Sequence, residues 1–356
     1  MAEATPQGNS GYNRSMIEID GSFGEAGGQI LRTALSLSCL LRKPFRMFNI
    51  RKGRKRPGLM PQHLTCVHAL ALISSAMVHG DAIGSTELVF EPGDPKPGDY
   101  FFDIGTAGST SLLLQAILPP LIFAKEGSRV TLTGGTHVPF SPPYQFISDI
   151  FAPMLSRLGI RVQTSIVNYG FYPKGGGKIT AEVSPSGKLE ALSLIDRGEI
   201  KKVRGISAVS SLPMSIADRQ RKAALRLLEQ NKIAAEIETL QVTSYSPGTF
   251  VYLQSMAGGC RAGFSSLGER GKKAETVGEE AAGEFLSYYD SSACLDHHLA
   301  DQIVPYLAAL KGESSFTTSR ITDHLLTNLW VVEKFLGIKY SIEGEKGNPG
   351  RVVIIP

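Results

Sequence analysis

His324 stands in Arg320-Ile-Thr-Asp-His-Leu-Leu-Thr-Asn328, where Leu325, Leu329, Val332 and Leu336 repeat at helical spacing. Thr322 or Asp323 supplies an N-cap, so the imidazole falls in the first turn, off the apolar stripe. There the positive end of the helix dipole disfavours imidazolium and keeps a neutral, nucleophilic ring near pH 7. The same dipole favours a phosphate brought to that ring, the placement suited to a histidine that carries a phosphoryl or nucleotidyl group. A surface or capping histidine has the same local signature, so its surroundings decide the matter.

Two further clusters could supply those surroundings. Arg51-Lys-Gly-Arg-Lys-Arg-Pro-Gly58 holds five positive charges in six positions ahead of a helix that Pro61 opens. Like charges repel unless an anion is present, so either a phosphate chain or plain solvent is their partner. Gln62 opens the next helix and can point into the same space. The turn Asp20-Gly-Ser-Phe-Gly-Glu-Ala-Gly-Gly-Gln-Ile-Leu-Arg32 joins a short strand (Ile17, Ile19) to a helix marked by Ile30, Ala34, Leu37 and Leu41. It leaves unpaired N–H groups at a helix start, with Glu25 in the turn and Gln29, Arg32 and Ser36 on the polar face. A carboxylate, an amide and a guanidinium there suit a metal–phosphate group. A glycine turn serving backbone geometry alone reads the same way. It is neither a Walker loop nor a dinucleotide fingerprint.

In Leu295-Asp-His-His-Leu-Ala-Asp-Gln302, residues His298, Asp301 and Gln302 share a helix flank, and Pro305 removes the N–H that would meet the Asp301 carbonyl. The adjacent His297 and His298 invite a zinc reading, but no third ligand is spaced to support it. Gln115 interrupts an apolar helix, where a lone amide needs a partner. Phe171-Tyr-Pro-Lys-Gly-Gly-Gly-Lys178 reads as a turn between strands.

The elements that must carry these groups follow one rhythm, used three times: helix, strand, loop, helix, strand. The first use runs from Gly27 to Leu41, through a strand Phe45–Ile50 and a helix Pro61–Val78. The second has a helix from Ser109, a strand Arg129–Thr133, a helix Tyr144–Leu158 and a strand Arg161–Ile166. The third has a helix His298–Leu310, a strand Ser315–Thr318, a helix His324–Leu336 and a strand Lys339–Glu343. The stretch 186–288 differs, with a charged helix Ser215–Gln230, strands Ala234–Gln241 and Thr249–Ser255 and a helix Thr276–Leu286. It reads as a small inserted α/β domain. Residues 1–15 read as a disordered tail, and 16–185 with 289–356 as the main domain.

Composition sets outer limits. The 356 residues, 42% hydrophobic and 20% charged, suit a large soluble protein of more than one domain. A formal charge of +4 leaves polyanion binding to local clusters. Cys39, Cys66, Cys260 and Cys294 lack metal spacing and read as reduced thiols in the cytoplasm. The longest apolar run, Leu112 to Ala124, is too short to span a bilayer.

Together these segments make the chain resemble the RNA 3′-terminal phosphate cyclases. The resemblance runs from Met16 to the C-terminus. It rests on the glycine turn to Arg32, Asn49–Leu59 with Gln62-His63, Asp103-Ile-Gly-Thr-Ala-Gly-Ser109 with Gln115, Phe171–Gly177, His298-Leu-Ala-Asp-Gln302 and His324-Leu-Leu-Thr-Asn328. It implies an α+β fold of three βαβαββ-type units forming a large domain, with a small thioredoxin-like insert before the last. It implies an ATP-dependent ligase that converts an RNA 3′-phosphate to a 2′,3′-cyclic phosphodiester. By the resemblance His324 is the nucleophile and takes AMP. Gln115, His298, Leu299, Ala300, Asp301 and Gln302 bind ATP. Arg32, Arg51, Arg54 and Gln62 hold phosphate or RNA, and Glu25 holds Mg²⁺ or Mn²⁺. Position 298 is tyrosine in some members, so here an imidazole must stack on adenine, with one of Pro139, Pro142 and Pro143 on the other face. DNA 3′-phosphates and 5′-phosphate ends stay open as further substrates, and no obligate protein partner is implied. Rival readings are a catalytically silent relative in ribosome biogenesis, an enolpyruvyl transferase of related fold, and a plain RNA-binding module.

Overall fold

Residues 16–187 and 189–356 are described by a computed structural model. The predicted tail, 1–15, lies outside the described residues. The first sheet takes β1 (Ile17–Asp20), β2 (Phe45–Phe48), β3 (Met77–His79) and β4 (Leu88–Glu91), with helices α1 (Gly28–Leu41) and α2 (Pro61–Ser74) between strands. The second takes β5 (Asp99–Asp103), α3 (Thr110–Ile122), β6 (Ser128–Gly134), α4 (Tyr144–Phe146), α5 (Ala152–Arg157), β7 (Val162–Asn168) and β8 (Gly177–Val183). Next come β9 (Ser193–Leu194), β10 (Val203–Ser210), α6 (Met214–Gln230), β11 (Ala235–Gln241), β12 (Gly248–Ala257), β13 (Cys260–Leu267) and α7 (Ala274–Ser291). The chain ends with α8 (His297–Ala308), β14 (Ser314–Thr318), α9 (Asp323–Leu336), β15 (Lys339–Glu343) and β16 (Gly350–Ile355). The fold is mixed α+β.

Three of the four sheets share one strand order: β1-β2-β4-β3, β5-β6-β8-β7 and β9-β14-β16-β15. In each the first pair is parallel and the remaining pairs antiparallel. The parallel pair needs a crossover, which a helix supplies. The fourth sheet runs β11-β10-β12-β13. It packs with α6 and α7 around a core of its own, including Val203, Val251, Leu253, Phe264 and Phe285. The two-residue β9 lies within 186–288 yet pairs with β14.

Two sequence expectations need correction. The helix expected to reach Val78 stops at Ser74, because Ser75 takes a left-handed conformation (φ 52) and Val78 then pairs with Phe90. The helix expected over 144–158 is split by a wide turn, Ile147–Phe151, in which the Ala152 N–H donates to the Ile147 carbonyl five residues back. Pro153 has no N–H to offer the Asp149 carbonyl, and the Arg261 guanidinium of β13 donates to it instead at 3.3 Å.

The same device recurs where the helices meet. Pro120 leaves the Ala116 carbonyl of α3 unpaired within its helix, and Ser36 Oγ of α1 donates to it at 2.5 Å. Pro305 does the same to Asp301 in α8, and Asn328 Nδ2 of α9 donates to that carbonyl at 2.7 Å. Interior prolines thereby create acceptors that a neighbouring helix must satisfy. They fix α1 against α3 and α8 against α9. Among the described residues no helix is long and apolar enough to cross a membrane.

Candidate functional site

Gly28 of α1, Ser109 before α3, His297 and His298 of α8, and Thr322 and His324 at the start of α9 all line one cleft of about 2260 Å³. Four helix starts thus open onto a shared space, each contributing partial positive charge. The loop after β13, including Arg270, Lys272 and Lys273, lines the same cleft.

At the centre is His324. The Thr322 hydroxyl caps α9 by accepting from Leu325 N at 3.1 Å, which places His324 in the first turn as its sequence suggested. Its Nδ1 meets the Gln29 side-chain carbonyl at 2.7 Å. The Gln29 amide nitrogen donates to Asp301 Oδ2 at 3.0 Å, so the carbonyl end of Gln29 is the end facing the ring. A carbonyl accepts only, so Nδ1 carries the proton and Nε2 keeps its lone pair. Burial depresses the His324 pKa, with Arg32 and Arg54 adding to the effect against the opposing pull of Glu25 and Asp323. The ring is held neutral, in one tautomer, half exposed to the cleft.

The supporting shell is shared by three helices. Thr33 of α1 donates to Asn328 Oδ1 of α9 at 2.7 Å, and Asn328 donates to the Asp301 carbonyl of α8. Asp301 is buried, which pushes its pKa up to about 8, with Asp296 and Glu25 adding to the rise. Its Oδ1 is buried and without a partner among the described residues.

The glycine turn brings Glu25 to this group. Gly24 has φ 57, and a Cβ there would stand 2.2 Å from Thr327 Oγ1, so only glycine lets the turn lie on α9. A Cβ on Gly27 would strike the Glu25 carboxylate itself at 2.2 Å. Phe23 stacks on Trp330 of α9 with ring centroids 4.1 Å apart, pinning the turn from outside. Glu25 Oε2 then lies 3.8 Å from His324 Nδ1, buried and without a hydrogen bond. Its other oxygen pairs with Arg54.

The remaining expected residues divide. Arg32 lines the cleft, its pKa lowered by burial. Arg51 lines it too, but its Nη1 donates to the carbonyls of Arg56 (2.8 Å) and Gly58 (2.9 Å), so this guanidinium also braces its own loop. Gln62 Oε1 accepts from Ser109 N at 3.2 Å and ties the start of α2 to that of α3. The lone amide Gln115 finds its partner in Gln302, whose Oε1 accepts from Gln115 Nε2. His298 lines the cleft, as do Pro139, Pro142 and Pro143. Leu299 and Ala300 do not: both are fully buried, and Asp296 takes both N–H groups. Helix periodicity turns them into the core, so their side chains cannot touch a ligand in the cleft.

Sequence spacing lacked a third ligand for the histidine pair, and here folding corrects it. Glu284 of α7 comes to His297 and His298, with ligand atoms all within 4.8 Å of one another. Arg270 and Lys273, on the loop after β13, had no sequence signal as part of a site and line the cleft. Asn328 stands in the motif that carried the resemblance, but its contact with the carbonyl freed by Pro305 was not legible there.

The family model described as RNA 3′-terminal phosphate cyclase matches residues 23–342. A Methanopyrus kandleri protein of that name is 45% identical over 352 residues, covering 96% of this chain and 99% of its own length. Another, from Sulfolobus acidocaldarius, is 46% identical over 331 residues, covering 92% of this chain and 97% of its own. Among solved structures, an EPSP synthase from Acinetobacter baumannii aligns with 96% of this chain and 47% of its own, at 14% identity. The TM-score of that alignment is 0.33.

Proposed function

The chain belongs to the RNA 3′-terminal phosphate cyclase family, and we propose that it closes RNA 3′-phosphate ends to 2′,3′-cyclic phosphodiesters at the expense of ATP, with His324 as the covalent carrier of AMP. One observation carries the assignment: His324 presents an unprotonated Nε2 to a cleft where helix starts converge, its proton fixed on Nδ1 by Gln29.

In this reading Nε2 attacks the α-phosphorus of ATP, the bond to the bridging oxygen breaks, and pyrophosphate leaves. An oxygen of the RNA 3′-phosphate then attacks the AMP phosphorus, the N–P bond breaks, and the imidazole is released. The RNA end now carries a diphosphate linkage to adenosine. Its 2′-hydroxyl loses a proton and attacks the 3′-phosphorus, and AMP departs. A phosphate monoester has no leaving group of its own, and adenylylation supplies one. The protein's share is positioning and charge neutralisation.

Gln115 with Gln302, His298 and the prolines 139, 142 and 143 form the adenosine side, and Arg32, Arg51, Arg54 and Gln62 the phosphate side. The orphaned Oε2 of Glu25, with the neighbouring orphaned Oδ1 of Asp301, fits a hard cation such as Mg²⁺ or Mn²⁺. When bound, that ion would neutralise charge on the phosphates. We read the three like-ordered sheets as copies of one βαβαββ unit and the fourth as a thioredoxin-like insert. Four buried free cysteines accord with a reducing, cytoplasmic setting.

Incubation with α-labelled ATP and Mg²⁺ or Mn²⁺ tests the proposal. The protein should take up label through an acid-labile bond, and His324→Ala should not. Label persisting in His324→Ala would reject the nucleophile, and no label in the wild type would reject the ATP reading.

A further inference from the structure

Phe140 is fully exposed, its side chain in the cleft, and its backbone is left-handed with φ 61. A bulky residue in that conformation is strained, and a bare phenyl ring gains nothing from water. The turn is held between Pro139 and Pro142, with Ser141 Oγ donating to the Val138 carbonyl at 2.9 Å. Tyr172 is the second such ring, 68% exposed and also lining the cleft. The two loops are joined at their bases. His137 bridges to Phe171 as in a parallel ladder, their rings 5.6 Å apart, and the His137 N–H donates to the Gly170 carbonyl at 3.0 Å. Gly175 N donates to the Phe171 carbonyl at 2.8 Å and closes the second loop.

Cations line the same cleft. Lys272 and Arg219 are engaged by Glu280 and Glu275. Lys174, two residues beyond Tyr172, and Arg270, on the loop after β13, are exposed and make no side-chain hydrogen bond or ion pair among the described residues. Flat apolar rings and unengaged cations lining one cleft match single-stranded nucleic acid, whose bases stack while its phosphates are neutralised.

We propose that Phe140 and Tyr172 are stacking surfaces for the unpaired nucleotides preceding the reacting 3′ end, with Lys174 and Arg270 on the connecting phosphates. The inference rests on the cyclase reading and adds to it a substrate class: single-stranded 3′ ends several nucleotides long, read without base preference. In a duplex the nucleotides preceding the 3′ end are stacked on one another and offer no free face to either ring.

The test compares KM for a single-stranded RNA octamer 3′-phosphate, a blunt duplex and a dinucleotide 3′-phosphate. Phe140→Ala and Tyr172→Ala should each raise KM for the octamer roughly 5- to 150-fold, the range for loss of one stacked base. Phe140→Trp and Tyr172→Phe should keep KM near the wild-type value, and the dinucleotide, with one preceding base, should respond to at most one of the two alanine variants. In a second measurement, 4-thiouridine just upstream of the terminal nucleotide should photocrosslink to 138–143 or 171–175. Octamer KM unchanged in both alanine variants, or crosslinks confined to other segments, would overturn the proposal. So would a rise confined to the KM for ATP, which would put these rings on adenine. A wild type that takes no label from ATP would instead sink the cyclase reading and is scored apart.

Discussion

His324 Nδ1 and Gln29 Oε1 meet at 2.7 Å across 295 positions of sequence, joining the first turn of α9 to the first turn of α1. The contact does more than hold two helices together. Because Gln29 spends its amide nitrogen on Asp301, its carbonyl can accept only from Nδ1–H, and the tautomer of the ring follows. Orienting partners of this kind typically matter 10- to 100-fold when removed. Gln29→Leu should therefore slow labelling from α-labelled ATP by roughly 10- to 100-fold in single turnover while ATP binding stays near normal. An unchanged rate would mean that the ring finds its tautomer without Gln29.

Asn328 serves stability as Gln29 serves the tautomer. Its side chain serves the Asp301 carbonyl and accepts from Thr33, and both contacts are buried. Asn328→Ala strands an acceptor in the interior, which costs about 1–3 kcal/mol. Pro305→Ala returns an N–H to α8 and supplies that acceptor from within the helix. The double variant should recover part of the loss in a denaturant titration. Additive losses would show that the proline and the asparagine are not coupled.

That pair also marks how far the sequence could be read. Pro305 announces a homeless carbonyl at Asp301, and the helical pattern after Thr322 locates His324. Local chemistry of this sort is visible because it depends on residues a few positions apart. The strand Lys339–Glu343 was legible for the same reason, from its bounds onward. The partner of the Asp301 carbonyl, the amide beside His324 and the approach of Glu284 to His297 are long-range facts, set by which helix lies on which. The helix expected to run to Val78 failed on the conformation of one residue, Ser75, whose side chain does not announce a left-handed turn. The wide turn before Pro153 depends on Arg261, more than a hundred positions away.

Two buried histidines make the fold sensitive to acid. His137 Nε2 meets Gln145 Oε1 at 2.6 Å and Thr136 Oγ1 lies 2.9 Å from Nδ1, an arrangement complete with a neutral ring. Burial lowers its pKa to about 3. His63 is lowered to about 3 as well, by burial first and then by Arg32 and Arg51. In the unfolded chain both would titrate near the ordinary histidine value of 6.5. Between those values the unfolded state binds more protons, so their contribution is complete above pH 6.5 and lost as pH falls toward 3. Each ring takes away about 1.4 kcal/mol per pH unit in that window. His137→Gln should make the Tm less sensitive to acid below pH 6.5, because it removes that ring's share of the loss. Acid sensitivity unchanged by His137→Gln would assign it to other groups.

Arg51 and Arg54 share a basic loop but do different work. Arg51 reaches back to two carbonyls of its own loop, from a left-handed backbone position (φ 53). Arg51→Ala should loosen residues 51–58, seen as faster amide exchange there, with little change in global unfolding. It should also raise the KM for ATP or RNA by weakening the loop that presents Arg54. Protection of the loop unchanged by the substitution would leave Arg51 as a simple charge.

Arg54 instead competes for Glu25. Its guanidinium occupies one carboxylate oxygen and also donates to the Glu25 carbonyl at 2.9 Å, while Oε2 stays without a partner. If Glu25 is the cation ligand, the two substitutions must act in opposite directions. Glu25→Gln removes the charge a hard ion needs and should raise the Mn²⁺ midpoint at least tenfold, on the scale set by loss of a ligand's support. Arg54→Ala removes the competing cation and should lower that midpoint. Mn²⁺ binding followed by electron paramagnetic resonance, without turnover, separates this from Arg54's share in holding phosphates, because only the ion is read. Midpoints that move together, or Mn²⁺ binding indifferent to Glu25→Gln, would place the ion on other ligands.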